Sequence, residues 1–142
     1  LQANNQYRLG SDGEAPFGDA TRQRIHGLSF GVDRNNWIGR VELQAIDRTE
    51  EYGRDFGEMA AIGYRLGKWT PLFSWARYHQ RLNEDAGAPE GHRTRSFVLR
   101  YDIDHKSAVK LQYDIWRDGS GSGYESQHGD AHLIAIAWER VF

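Results

Sequence analysis

The amino-acid sequence predicts an all-β chain, an antiparallel up-and-down transmembrane β-barrel of about eight strands. Three observations predict it. Large apolar residues recur at every second position in segment after segment, while a period of 3.6 is scarce. The connections between these segments alternate strictly between long and short. The face opposite the large apolar residues mixes glycine, alanine and serine with charges of both signs.

The segments follow in order. Residues 2–9, QANNQYRL, are a weak first candidate whose alternate positions Ala3, Asn5, Tyr7 and Leu9 make a poor lipid-facing surface. RIHGLSFGV sets Leu28, Phe30 and Val32 against Gly27, Ser29 and Gly31. WIGRVELQA sets Trp37, Val41, Leu43 and Ala45 against Arg40, Glu42 and Gln44. EMAAIGYRL sets Ala60, Ile62, Tyr64 and Leu66 against Ala61, Gly63 and Arg65. WTPLFSWARYHQ sets Trp69, Pro71, Phe73 and Trp75 against Thr70, Ser74 and Ala76, with Leu72 out of place among the latter. RSFVLRYDI sets Phe97, Leu99, Tyr101 and Ile103 against Ser96, Val98, Arg100 and Asp102. AVKLQYDIW sets Val109, Leu111, Tyr113 and Ile115 against Lys110, Gln112 and Asp114. HLIAIAWERVF sets Ile134, Ile136, Trp138, Arg140 and Phe142 against Leu133, Ala135, Ala137, Glu139 and Val141.

DRNN, LGK and DIDHKS are the short connections. GSDGEAPFGDATRQ, DRTEEYGRDFGE, RLNEDAGAPEGHRT and DGSGSGYESQHGDA are the long ones, polar and rich in glycine. Tight turns at one end and long loops at the other are the layout of an outer-membrane barrel, whose short turns face the periplasm. Trp37, Trp69 and Phe142 fall near the short-turn end, where aromatic side chains form a girdle at the lipid interface.

Composition fits. The 142 residues suit one domain, or one barrel segment, spanning 1–142. The net charge of -2 and pI near 6.3 give no general pull toward nucleic acid. Aromatic residues at 13 % are too many for a disordered chain. With no cysteine, disulfides and thiolate metal sites are excluded. A mean hydropathy of -0.76 and the lack of a long apolar run argue against membrane helices, but not against strands that alternate.

Alternation leaves two ways to turn the sheet. A soluble eight-stranded barrel of lipocalin type encloses its apolar face around a small apolar ligand. A membrane barrel presents that face to lipid. Small residues make a poor strand exterior but suit a crowded lumen, which favours the membrane barrel. Its lumen then carries Arg40, Arg65, Arg100 and Lys110 with Glu42, Asp102, Asp114 and Glu139. Arg40 with Glu42, Arg100 with Asp102 and Lys110 with Asp114 are the expected pairs. Near balance of sign predicts weak ion selectivity.

YRLGKWTPLFSWARY, then LRYDIDHKSAVKLQYDIWRD, then a final strand closing on VF resemble the C-terminal strands of Gram-negative outer-membrane porins. The resemblance spans roughly residues 60–142. It implies passive diffusion of small solutes through the bacterial outer membrane, in a monomer or homo-oligomer. It implies contact with outer-membrane lipid and lipopolysaccharide. It also implies that Ile134, Ile136, Trp138 and Phe142 resemble the signal read by the barrel-assembly machinery. Arg140 stands where the family usually carries an aromatic or apolar residue. Such porins have about 16 strands, against about eight here. The chain is then either the C-terminal part of a larger porin or a small barrel filled by side chains, non-conducting and acting as an anchor. The weak first segment favours the former.

Chemistry is sparse. His128, Asp130 and His132 lie in a glycine-rich stretch, and Glu50, Glu51 and Asp55 read as a loop cluster. Solvated loop residues are the expectation for both, and no metal or other cofactor is expected. GSGSG at 119–123 lacks the spacing of a phosphate-binding loop. Ser74 and His79 fall on opposite faces of one segment, so no nucleophile–base set can be placed and no enzyme is expected.

Overall fold

A computed structural model describes residues 23–48, 53–82, 87–124 and 129–141. Among them every regular element is a strand. The strands are β1 (Gln23–Arg34), β2 (Trp37–Arg48), β3 (Arg54–Tyr64), β4 (Trp69–Arg81), β5 (Gly91–Asp102), β6 (Ser107–Asp118) and β7 (Ala131–Arg140). They form one up-and-down sheet in chain order, each antiparallel to the next. β1 and β7 are its edges among the described residues, so the sheet is not closed into a barrel there. The eighth segment, at 2–9, lies outside the described residues, as do Phe142, His128, Glu50 and Glu51.

Turn chemistry sets the short end. Asn35 and Asn36 hold φ of 51° and 68°, the left-handed pair of a two-residue hairpin, which asparagine tolerates better than most residues. Arg34 and Trp37 close that turn as a cross-strand pair. Leu66 and Trp69 exchange backbone hydrogen bonds of 2.7 and 3.0 Å around Gly67, whose φ is 61°. At the third turn the Lys106 amide donates to Asp104 Oδ1 at 2.7 Å.

The long connections are shorter than the sequence predicts, although the long–short alternation stands. Asp47 and Arg48 continue β2, and Arg54–Glu58 belong to β3, so only 49–53 connect those strands. β4 runs on to Arg81 and β5 starts at Gly91; β6 runs on to Asp118. The polar ends of these strands lose the apolar alternation but keep the backbone ladder, which is indifferent to side chains. Asp55 is therefore a strand residue, 2 % exposed, rather than part of a loop cluster.

Register makes the two faces continuous. Leu28 pairs with Leu43, Phe30 with Val41, Phe73 with Phe97, Leu99 with Leu111, and Tyr113 with Ile134. These pairs share one face, the large-residue face. Gly31 pairs with Arg40, Arg40 with Ala61, Ala61 with Ser74 and Ser74 with Ser96 on the other. Leu72 lies with this second set, opposite Gly63, where the glycine leaves it room.

On the central strands the large-residue face is the more exposed one, whereas the edge strand β7 is exposed on both faces. Phe73, Phe97 and Leu99 are 38, 48 and 39 % exposed, while Ser74, Thr94, Ser96 and Val98 between them are half-buried. Among the described residues the buried apolar core reduces to Ala108. A water-soluble chain of this length normally buries a far larger core. Leaving each such side chain in water forgoes about 1.5–3 kcal/mol.

Candidate functional site

The small-residue face gathers the charges. On β2, Arg40 Nε donates to Glu42 Oε1 at 2.7 Å. Residues i and i+2 of a strand stand on one face about 7 Å apart, within an arginine's reach. On β5, Arg100 makes the same pair with Asp102, also at 2.7 Å.

Lys110 does not pair with Asp114. It reaches Glu139 of β7, which also accepts from Arg100 Nη1 at 2.9 Å. Four residues along a strand are about 13 Å, too far for that pair. Glu139 is two residues beyond Ala137, the partner of Lys110, and so is its diagonal neighbour. Asp114 instead accepts from Gln112 Nε2 at 3.0 and 2.8 Å. Arg100, Asp102, Lys110 and Glu139 thus form one cluster across β5, β6 and β7.

Arg65, just beyond β3, crosses β2 to Asp33 of β1, a partner not legible in the sequence. Its two Nη atoms donate to the two carboxylate oxygens at 2.6 Å each, a bidentate fork. In the sequence Asp33 belongs to the short connection DRNN, and only the hairpin register shows that it faces Arg65. The side chains in these pairs are between about a third and two thirds exposed, so solvent screens them and they add little to stability. Their consequence is electrostatic: along this face each described cation has a carboxylate against it.

Two further features lie toward the long-loop end of the same face. Arg48 Nη2 sits 2.6 Å from Asp55 Oδ2. Tyr78, His92 and Trp116 stack across β4, β5 and β6, with ring centroids 5.1 and 3.9 Å apart. Arg48, Asp55 and His92 belong to polar stretches with no apolar alternation, and Tyr78 and Trp116 end their segments, so only the cross-strand register brings these groups together.

The opposite face carries a row of aromatic side chains at the short-turn end and the large residues of β7. Trp37 lies against Tyr64 at 4.8 Å and Trp69 against Tyr101 at 4.5 Å, all at the short-turn end. Trp138 of β7 continues this row through Val109. Trp37 and Trp69 are legible as members of this row from the sequence; Tyr64, Tyr101 and Trp138 follow from the same alternation once strand heights are known. Ile134, Ile136 and Trp138 are 70, 75 and 61 % exposed.

The remaining candidates are engaged structurally. His132 Nδ1 is 2.6 Å from the Tyr113 hydroxyl. Asp130 accepts from Arg117 Nη1 at 2.6 Å and from the Asp118 amide at 3.0 Å. Among the described residues no three His, Asp or Glu side chains converge as a metal site. Ser74 and His79 occupy opposite faces of β4.

Comparisons of the chain with protein-family models, with curated proteins and with solved structures return no match.

Proposed function

We propose that the chain is an outer-membrane β-barrel of porin type, or a part of one, through which small solutes diffuse passively. The observation that carries this reading is the inverted burial of the sheet. On the central strands β4 and β5 the large side chains Phe73, Phe97 and Leu99 are exposed, and the alternate residues Ser74, Thr94 and Ser96 are half-buried. Lipid is the solvent that stabilises the first arrangement, and a wet lumen accepts the second. The strands are 10–13 residues long, enough to cross a hydrocarbon core when tilted. The edges β1 and β7 have to be paired in lipid, because unpaired backbone groups there cost several kcal/mol each.

A soluble ligand-binding barrel needs the large-residue face inside, against this pattern of exposure. In the membrane reading the short turns are periplasmic, Ile134, Ile136, Trp138 and Phe142 belong to the closing strand offered to the assembly machinery, and the charged clusters line the solute path. Planar-bilayer recording of the refolded protein tests it. Stepwise conductance with a reversal potential near zero in a salt gradient is expected, because the luminal charges pair off. Insertion without conductance would leave a non-conducting anchor and remove the transport reading.

A further inference from the structure

Toward the long-loop end of the small-residue face, one row across the strands holds glycines at one side and aromatic rings at the other. Gly27 of β1 pairs with Gln44 of β2, Gln44 with Gly57 of β3, Gly57 with Tyr78 of β4, and Tyr78 with His92 of β5. The Tyr78 and His92 rings stack with centroids 5.1 Å apart, and Trp116 continues the stack beyond His92. That separation is close to the spacing of neighbouring strands, about 4.8 Å. Tyr78 and His92 therefore each add one plate to the stack. It stops at Gly57, which has no side chain to add.

The space left there has definite walls. Gln44 stands beyond Gly57, exposed, and two strand spacings, about 9.5 Å, separate it from Tyr78. A flat ring lying over Gly57 would meet Tyr78 at the spacing that Tyr78 keeps from His92. A cavity of about 450 Å³ opens at this place, lined by the row and, two residues nearer the short turns, by Ser29, Glu42 and Thr94. Packing does not demand the glycine. A Cβ at Gly57 would meet nothing closer than Gln44 Cβ, at 3.8 Å. Glycine weakens a strand interior and marks places where a ligand comes close to the backbone.

The walls indicate the ligand. The Tyr78 ring offers a face, and faces of aromatic rings prefer other rings in offset stacks. The Gln44 amide donates and accepts, the Glu42 carboxylate accepts, and the Thr94 hydroxyl does both. A flat apolar face with a few polar groups at its edge suits a ring that carries its own donors and acceptors. Glu42, Asp55 and Glu90 surround the row, against Arg40 and Arg48, so an anionic ring is disfavoured.

We propose that the space over Gly57, between Tyr78 and Gln44, is a binding slot for a neutral heteroaromatic ring of nucleoside type, held as the fourth member of the Trp116–His92–Tyr78 stack. This names a solute class for the path proposed above and rests on that reading of the small-residue face as the wet one. The test titrates the full chain, refolded in a neutral detergent, with adenosine, and with glucose as the comparison. Gly57→Val fills the slot with a side chain that suits a strand. Gly31→Val puts the same side chain on the same face, away from the stack. Gln44→Leu, at an exposed position, removes the edge hydrogen bonds.

Adenosine is expected to bind saturably, about tenfold more weakly in Gly57→Val and about fivefold more weakly in Gln44→Leu, with no change in Gly31→Val. The urea midpoint of Gly57→Val is expected to match or exceed that of the parent, which separates a filled slot from an unfolded chain. Absence of saturable adenosine binding, equal affinity in the parent and the two slot variants, or an equal loss in Gly31→Val overturns the proposal. Glucose bound as tightly as adenosine overturns it in favour of a polyhydroxylated ring. Conductance without adenosine binding refutes the slot and leaves the transport reading standing. Slot-dependent binding without conductance supports the slot and removes transport.

Discussion

Asp55 shows how a polar residue constrains this sheet. It is nearly inaccessible, and Arg48 is set against it at 2.6 Å. Removing the arginine leaves a buried carboxylate uncompensated, which costs about 3–5 kcal/mol. Arg48→Ala is therefore expected to lower the urea midpoint of the refolded protein sharply, and adding Asp55→Asn to recover much of the loss. An Arg48→Ala variant as stable as the parent contradicts the pair. Gly53 is a second single-residue constraint. Its φ is +64°, and a Cβ there would stand 2.0 Å from the Arg81 carbonyl oxygen. Gly53→Ala is expected to disturb the start of β3 and its pairing with β4, read as lost amide-exchange protection around Arg54. Neither constraint was legible in the sequence, because EEYGRDFGE looks like a polar loop. What makes it partly a strand is backbone pairing with Gln80 and Arg81, which leaves no hydrophobic mark.

Among the elements, alternation was the legible signal wherever one face meets large side chains. The seven described strands, and the faces assigned to the large residues in their apolar stretches, follow from period two. Even Leu72 keeps its misfit position, across from Gly63. Strand ends were illegible for the reason Asp55 was. Charge partners were half legible: pairs two apart on one strand, Arg40–Glu42 and Arg100–Asp102, follow from spacing alone. Lys110–Glu139 and Arg65–Asp33 need register. Glu139 is the hinge of its cluster, so Glu139→Gln is expected to free Arg100 and Lys110 and shift the reversal potential toward anion selectivity. An unchanged reversal potential removes the cluster from the solute path.

The base of the β6–β7 connection depends on pH in a stated direction. The Asp118 amide, and then the Arg117 guanidinium, hold Asp130 below its ordinary value of 3.8. A lowered carboxylate stabilises the fold above its unfolded value, and that contribution is lost as pH falls through the folded value. The connection is therefore expected to loosen only in strongly acidic buffer, below about pH 4. In Asp130→Asn this acid step should vanish from hydrogen-exchange or proteolysis profiles. A parent profile flat down to pH 2 contradicts the latch.

For the whole molecule, the deciding quantity is where its apolar surface goes. A sheet that buries little more than Ala108 among its described apolar residues, while exposing Phe30, Ile134, Ile136 and Trp138, cannot draw its stability from a conventional core. In the membrane reading, lipid covers that face and the edges β1 and β7 are paired. The most direct measurement is electrophoretic mobility of the chain refolded in detergent, boiled and unboiled, beside a sample refolded in buffer alone. A heat-sensitive shift that appears only with detergent is expected if the large-residue face meets lipid. A cooperative fold in plain buffer, with no shift, would contradict it and place those aromatic side chains around an enclosed ligand instead.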